Sequence, residues 1–435
     1  MYAAQVSILG EYMAEKQIFR ITGGNPLSGR VELHGAKNAV LPMLAASIMT
    51  SDKVTVCDCP AISDVDDMTS VLTALGVTVS RSGREISVSG TPTVTEIPPH
   101  LACAMRSSVF MLGPLLAEAG EVRLFTPGGC RIGARPLDIH FDGFCKLGAR
   151  VEYGEDYVNC SADGLKGADI VLKYPSVGAT ENLVMAAVKA KGTTRLIGAA
   201  REPEICSLVR LLRKMGADIS GEGTPVITVR GVDTLEGATC TPVPDRIVTG
   251  TVMAAVAVCG GRVEISNADA SVMGAVISPF LTSHTFLVEH GGVMIFESDG
   301  MLNPTDIVTG PYPLFPTDMQ APFMACQCYA CGLSSMRETV FEDRFAHVQE
   351  LRKMGADIAL AGNTAFVDGS RGMFGAKISA ADLRGGAGLI VAALGAKGES
   401  QLDGLRYIDR GYEKIEETFT ALGGKISREK VKIGD

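Results

Sequence analysis

The sequence predicts an α/β protein of two similar domains, each built from three copies of one strand–helix unit. Three observations lead there: a phrase that recurs six times, six strongly apolar helical runs, and a length of 435 residues, enough for two domains of about 200 residues each. The phrase is an apolar helical tail, a glycine and a strand-like ending. It reads LTALGVTV at 72–79, FCKLGARV at 144–151, LRKMGADI at 212–219, VEHGGVMI at 288–295, LRKMGADI again at 351–358 and FTALGGKI at 419–426. Its pivotal glycines are Gly76, Gly148, Gly216, Gly291, Gly355 and Gly423, spaced 64 to 75 residues apart.

Each part of the phrase has a physical reading. Ser63 is placed to cap a helix whose apolar residues Val65, Met68, Leu72 and Leu75 recur every three to four positions. Gly76 then suits the left-handed conformation that ends helices, and Val77 and Val79 alternate as a strand does. A second, more apolar helix is expected in every unit, at 39–49, 108–119, 182–190, 249–258, 320–330 and 387–396. Helices this apolar are buried on most sides. Strand-like runs such as VTVCD, VRLFT, TRLIG and VEISN follow several of them.

Composition narrows the function. With 46% hydrophobic and 20% charged residues the chain reads as globular. No apolar run approaches the roughly 20 residues that span a bilayer, so no membrane partner is expected. The first residues, MYAAQVSILGEYMAEKQ, lack the basic start of a secretory signal. Met13 offers a second start, because patterned sequence begins near Ile18. A net charge of −9 argues against a nucleic-acid binder. The 12 cysteines are irregularly spaced, mostly in apolar company, and read as reduced thiols of a cytoplasmic protein. Cys326, Cys328 and Cys331 do not share a helix face, so no metal is expected there. Gly23-Gly24 lacks the rest of a dinucleotide-binding pattern and reads as a tight turn.

The starts of the six buried helices carry Lys37-Asn38, Arg106, Ser176, Asp245-Arg246, Asp318 and Asp382/Arg384. Equivalent positions of a repeat lie at equivalent places, which gathers these clusters on one face of each domain. Capping explains Ser176 and Asp318. It does not explain Lys37, Arg106 or Arg384, because a helix N-terminus is already positive; cations there call for an anionic ligand.

At this point the chain resembles the enolpyruvyl transferase family, on the branch that uses a UDP-amino-sugar acceptor. The motifs that carry the likeness are GAKNAVLPMLAA (35–46), MRSSVFMLGPLLA (105–117), PGGCRIGARPLDIH (127–140), PSVGATEN (175–182), AAREPEI (199–205), PDRIVTGT (244–251), FPTDMQA (315–321), ETVFEDRFAHV (338–348), DLR (382–384) and IDRGYEKIE (408–416). They keep their order from about residue 17 to 427. The resemblance implies an inside-out α/β barrel with residues 1–35 and 244–435 in one domain and 36–243 in the other. It also implies transfer of the enolpyruvyl unit of phosphoenolpyruvate to UDP-N-acetylglucosamine, with no metal or organic cofactor.

The resemblance assigns roles as well. Cys130 is the expected proton donor to phosphoenolpyruvate and the target of the epoxide fosfomycin. Asp318 takes the proton of the sugar hydroxyl. Lys37, Arg135 and Arg410 clamp phosphate and carboxylate, with Arg344, Arg384 and Asn38 beside them. Arg106, Arg135, Pro136, Leu137, Asp138, Ile139, Ser176, Val177, Gly178, Asp318 and Val340 line the UDP-sugar. Residue chemistry agrees for Cys130: Gly128, Gly129, Arg131 and Arg135 are not core company. Arginine pairs with two oxygens at once, which suits the clamp. One departure stands out: Tyr174 occupies a place where the family often has lysine, with Lys173 one step earlier. The sister reaction on shikimate 3-phosphate is the nearest alternative; Cys130 and PSVGATEN argue against it.

Overall fold

A computed structural model of the protein describes residues 15–127, 133 and 136–432. Among these residues the strands form six separate open sheets, five of four strands and one of three.

One unit explains the rest. Strand Asp169–Val171 leads into the buried helix Val177–Val188, and the chain returns as Thr193–Ile197, parallel to the first strand. An amphipathic helix, Pro203–Lys214, follows. A hairpin then adds Asp218–Ser220 and Val226–Arg230, the latter antiparallel to Thr193–Ile197. The same plan recurs with substitutions at its edges. Thr239–Cys240, the end of the third unit, supplies the first strand of the first sheet, beside Val54–Val56. Leu27–Glu32 runs parallel to Gly261–Ser266. Glu15–Thr22 lies antiparallel between Glu399–Asp403 and Lys425–Lys432. The N-terminal segment therefore ties together two sheets of the C-terminal half.

The six expected apolar helices are present as Lys37–Ala46, Leu112–Ala119, Val177–Val188, Arg246–Cys259, Gln320–Gln327 and Leu383–Gly395. Arg246–Cys259, Gln320–Gln327 and Leu383–Gly395 pack on one another, and Leu112–Ala119 packs on Val177–Val188. Two apolar cores result. One draws on residues 36–240, the other on 19–33 and 247–426. Between the cores the chain passes twice, and the two passages lie side by side. Gly35 and Pro244 form an antiparallel bridge, Ala36 N–H donates to the Val243 carbonyl at 2.8 Å, and Asp245 N–H to the His34 carbonyl at 3.0 Å.

All six pivotal glycines have positive φ, from 60° to 106°. Five of them directly follow a helix end, as the sequence predicts. Gly291 does not. It sits in the hairpin turn between Thr285–His290 and Val293–Ser298, and the fourth unit's helix is Gly274–Phe280. VEHGG imitates the phrase because a strand followed by a Gly-Gly turn also reads as apolar residues then glycine. Ser63 is corrected too: it is the first residue of its helix, Ile62 holds the cap position, and no side chain caps there. Ser63 N–H instead donates to the Asp409 carbonyl of the other half, at 3.0 Å.

Candidate active site

The helix starts of the two halves meet across the double passage. Lys37 opens its helix with no carboxylate in the first turn. A cation there opposes the helix dipole, and two acidic residues compensate. The Lys37 Nζ lies 2.6 Å from Asp64 Oδ2, and its backbone N–H donates to Asp245 Oδ2 at 3.2 Å. Asp245 caps its own helix through Oδ1, which accepts from Ile247 and Val248 N–H at 2.9 Å each. One carboxylate thus fixes two buried helices, one from each core. Arg410 completes the cluster, with Nε 2.9 Å from Asp64 Oδ1. Burial pushes Lys37 below its ordinary pKa and outweighs the pull of Asp64. Burial alone would raise Asp64, yet Lys37 and Arg410 hold it below the usual carboxylate range.

Asp318 sits in the short turn Thr317–Met319 ahead of helix Gln320–Gln327 and makes no cap there. Its carboxylate is gripped from both sides. Arg344 Nη2 donates to Oδ1 at 2.8 Å; Arg384 Nε and Nη2 donate to Oδ2 at 3.1 and 2.9 Å. Burial opposes ionisation, but Arg384, Arg344 and Lys37 together hold Asp318 well below the usual carboxylate range. Arg344 Nε is buried and has no acceptor among the described residues. Arg384 and Arg410 bear electrostatically on Lys37, and Lys37 on Asp318, so the two clusters form one field. Asn38 is half-buried at the same helix start.

A second group lies on the first half. Ser176 caps helix Val177–Val188, accepting from Ala179 N–H at 3.4 Å. Pro136 and Leu137 lead into helix Asp138–Lys146, which carries Ile139 in its first turn. His140 joins these two helix starts: a β-carbon on Gly178 would stand 3.3 Å from its Nε2. Burial, then the charge of Arg106, lowers its pKa to about 4. Two adjacent helix N-termini present free N–H groups suited to a diphosphate. Arg106 opens the turn Arg106–Met111. Lys173 is turned outward to Asp142, at 3.1 Å, while Tyr174 lies in the field of Glu202 and Glu338. Cys130 and Arg135 lie outside the described residues.

Sequence reasoning gave no role to the residues that hold these groups in place. Glu338, buried, accepts from Thr309 and Thr317 hydroxyls at 2.9 Å each and from Val340 N–H at 2.8 Å. It thereby links the Asp318 turn to the Val340 segment. Arg246 pairs across the halves with Glu204, Nε to Oε1 at 2.9 Å, with both side chains nearly inaccessible. Glu181 and Glu202 lie near enough to Glu204 for like-charge repulsion, and Glu181, fully buried, has no partner for either carboxyl oxygen among the described residues. Arg246→Met leaves Glu204 uncompensated in that acidic surrounding. The expected loss is about 3–5 kcal/mol of stability, read from the urea midpoint. A loss below about 1 kcal/mol would show that solvent already screens the pair.

Comparison with known proteins gives a consistent result. The family described as EPSP synthase (3-phosphoshikimate 1-carboxyvinyltransferase) matches residues 21–419. The chain is 44% identical over 414 residues to UDP-N-acetylglucosamine 1-carboxyvinyltransferase 2 of Carboxydothermus hydrogenoformans, covering 94% of this chain and 99% of that one. It is 43% identical to UDP-N-acetylglucosamine 1-carboxyvinyltransferase of Gluconobacter oxydans, with the same coverage. Among solved structures, the enolpyruvyl transferase NikO from Streptomyces tendae superposes with a TM-score of 0.86 at 23% identity, covering 96% of this chain and all of that one. EPSP synthase from Acinetobacter baumannii gives 0.73 at 18%, covering 95% and 100%. These two likenesses speak for the fold. With the sequence relatives beside them, the chain belongs to the enolpyruvyl transferase family, on the branch of the UDP-N-acetylglucosamine 1-carboxyvinyltransferases.

Proposed function

We propose that this protein transfers the enolpyruvyl group of phosphoenolpyruvate to the 3′-hydroxyl of UDP-N-acetylglucosamine, releasing phosphate, as the first committed step of peptidoglycan synthesis. The observation that carries the reading is the ionised Asp318 held between two buried arginines, beside Lys37 and Arg410. The sugar oxygen attacks C2 of phosphoenolpyruvate and its proton passes to the Asp318 carboxylate. The Cys130 thiol gives its proton to C3. The resulting ketal then loses a C3 proton and expels phosphate as the C2–O bond breaks.

The grip on Asp318 has a consequence for timing. A carboxylate paired with two arginines is a weak base. An arriving phosphoenolpyruvate, with its phosphate and carboxylate, competes for Arg344 and Arg384 and frees Asp318 to accept a proton. Lys37, Arg410, Arg135 and Asn38 complete the anion site. Ser176, Val177 and Gly178 offer N–H groups to the diphosphate. Arg106, the 135–139 stretch and Val340 bind the rest of the nucleotide sugar.

The two halves act as domains, residues 1–35 with 244–435 and residues 36–243, each an inside-out α/β barrel with its helices inward. They close on the sugar nucleotide, and closure excludes water from the anion site. The location is the cytoplasm, and cell shape and division depend on the product. No helix among the described residues is long and apolar enough to cross a membrane.

Fosfomycin tests the site. One equivalent adds to the peptide containing Cys130 among the 12 cysteines, and Cys130→Ser abolishes the addition. Labelling at another cysteine, or undiminished labelling of the variant, overturns the assignment.

A further inference from the structure

A second cleft lies between the halves, and none of the residues assigned to the reaction lines it. Its volume is about 720 Å³, within the range of small-molecule sites. One wall is helix Pro203–Lys214, where Arg210 and Lys214 share a face with Cys206. Arg201 stands beside them, and Tyr312 and Val272 come from the opposite half. Of the cations lining it, Arg213 is neutralised by Glu222, with Nη2 2.7 Å from Oε2. Among the described residues no carboxylate pairs with Arg201, Arg210 or Lys214.

Three cations without a carboxylate in one cleft are unexpected in a protein of net charge −9. Complementing the helix C-terminus accounts for Lys214. It accounts for neither Arg210, a turn earlier, nor Arg201, which precedes the helix and opposes its dipole. The apolar side of the cleft is Tyr312, Val272 and Val243.

The cleft is also wired to the double passage. Arg210 Nη2 donates to Ser207 Oγ at 2.9 Å, and the same buried oxygen accepts from Val243 N–H at 3.0 Å. Val243 is the residue whose carbonyl holds Ala36, next to Lys37. On the far wall, Tyr312 N–H donates to Glu202 Oε1 at 3.3 Å, and its ring lies 5.6 Å from the Arg246 guanidinium.

We propose that this cleft binds a small organic polyphosphate, with its phosphates on Arg201, Arg210 and Lys214 and its ring against Tyr312, and that occupation alters turnover by drawing Arg210 from Ser207. The binding half stands independently of the reaction proposed above; the coupling half rests on it.

Cys206 lines the cleft and reports locally. Its rate of modification by N-ethylmaleimide is followed by peptide mass, at constant ionic strength, with pyrophosphate or ADP as probe. ADP at about ten times its dissociation constant is expected to slow Cys206 roughly tenfold by occupancy. Arg201→Ala/Arg210→Ala loses the protection, and Lys146→Ala, an exposed cation elsewhere, keeps it. No protection by either probe, or protection undiminished in the double variant, overturns the site. Equal affinity for pyrophosphate and ADP overturns the ring contact. Turnover that responds to ADP in the wild type and not in the double variant supports the coupling. Protection of Cys206 with unchanged turnover overturns it, and loss of phosphate release altogether would instead remove the reaction on which the coupling rests.

Discussion

Asp318→Asn is expected to lower kcat by about 10²–10⁴-fold, the contribution of a positioned general base. Asparagine keeps the size and can still accept one arginine, but it takes no proton at neutral pH. The change also removes the negative charge between Arg344 and Arg384, both nearly inaccessible to solvent. Breaking such a buried arrangement costs about 3–5 kcal/mol, so the variant should unfold earlier as well. The two effects separate by measurement. Circular dichroism at the assay temperature reports the folded fraction, and kcat per folded enzyme reports the chemistry. A variant whose kcat stays within about tenfold of the wild type would assign Asp318 to holding the arginines instead.

Lys37→Met is expected to lower kcat/KM for phosphoenolpyruvate by about 10²–10³-fold, the scale for removing one preorganised group that stabilises developing charge. Methionine retains the stem, so packing at the helix start changes little. Asp64 keeps Arg410, at 2.9 Å, and stays paired. Affinity for the sugar nucleotide should hold, because Lys37 stands with the anion clamp and not with the helix starts at 138 and 176. Unaltered kinetics in phosphoenolpyruvate would remove Lys37 from the substrate site and leave it as an internal counter-ion of Asp64.

Much of this architecture is legible in the sequence because its signals are local. Apolar helical runs and glycine after a helix depend on neighbours in the chain, and five of the six phrase glycines end helices. The fourth fails for the same local reason, since a hairpin turn writes a similar phrase around Gly291. The cation positions were legible because Lys37 and Arg384 violate the helix-dipole rule, and a violated rule marks a site. Their partners were not. Asp64 meets Arg410 from 346 residues away, and Lys37 meets Asp245 from 208. Nothing in the local pattern SDVDDM separates Asp64 from its acidic neighbours. Asp318 reads as a helix cap in sequence, and only the converging arginines show that its carboxylate is used otherwise.

The most direct measurement is inorganic phosphate released from phosphoenolpyruvate, with UDP-N-acetylglucosamine and shikimate 3-phosphate offered separately as acceptors. Release with the sugar nucleotide alone, abolished by Cys130→Ala, is the expected result. Release with shikimate 3-phosphate, or with neither acceptor, would contradict the account.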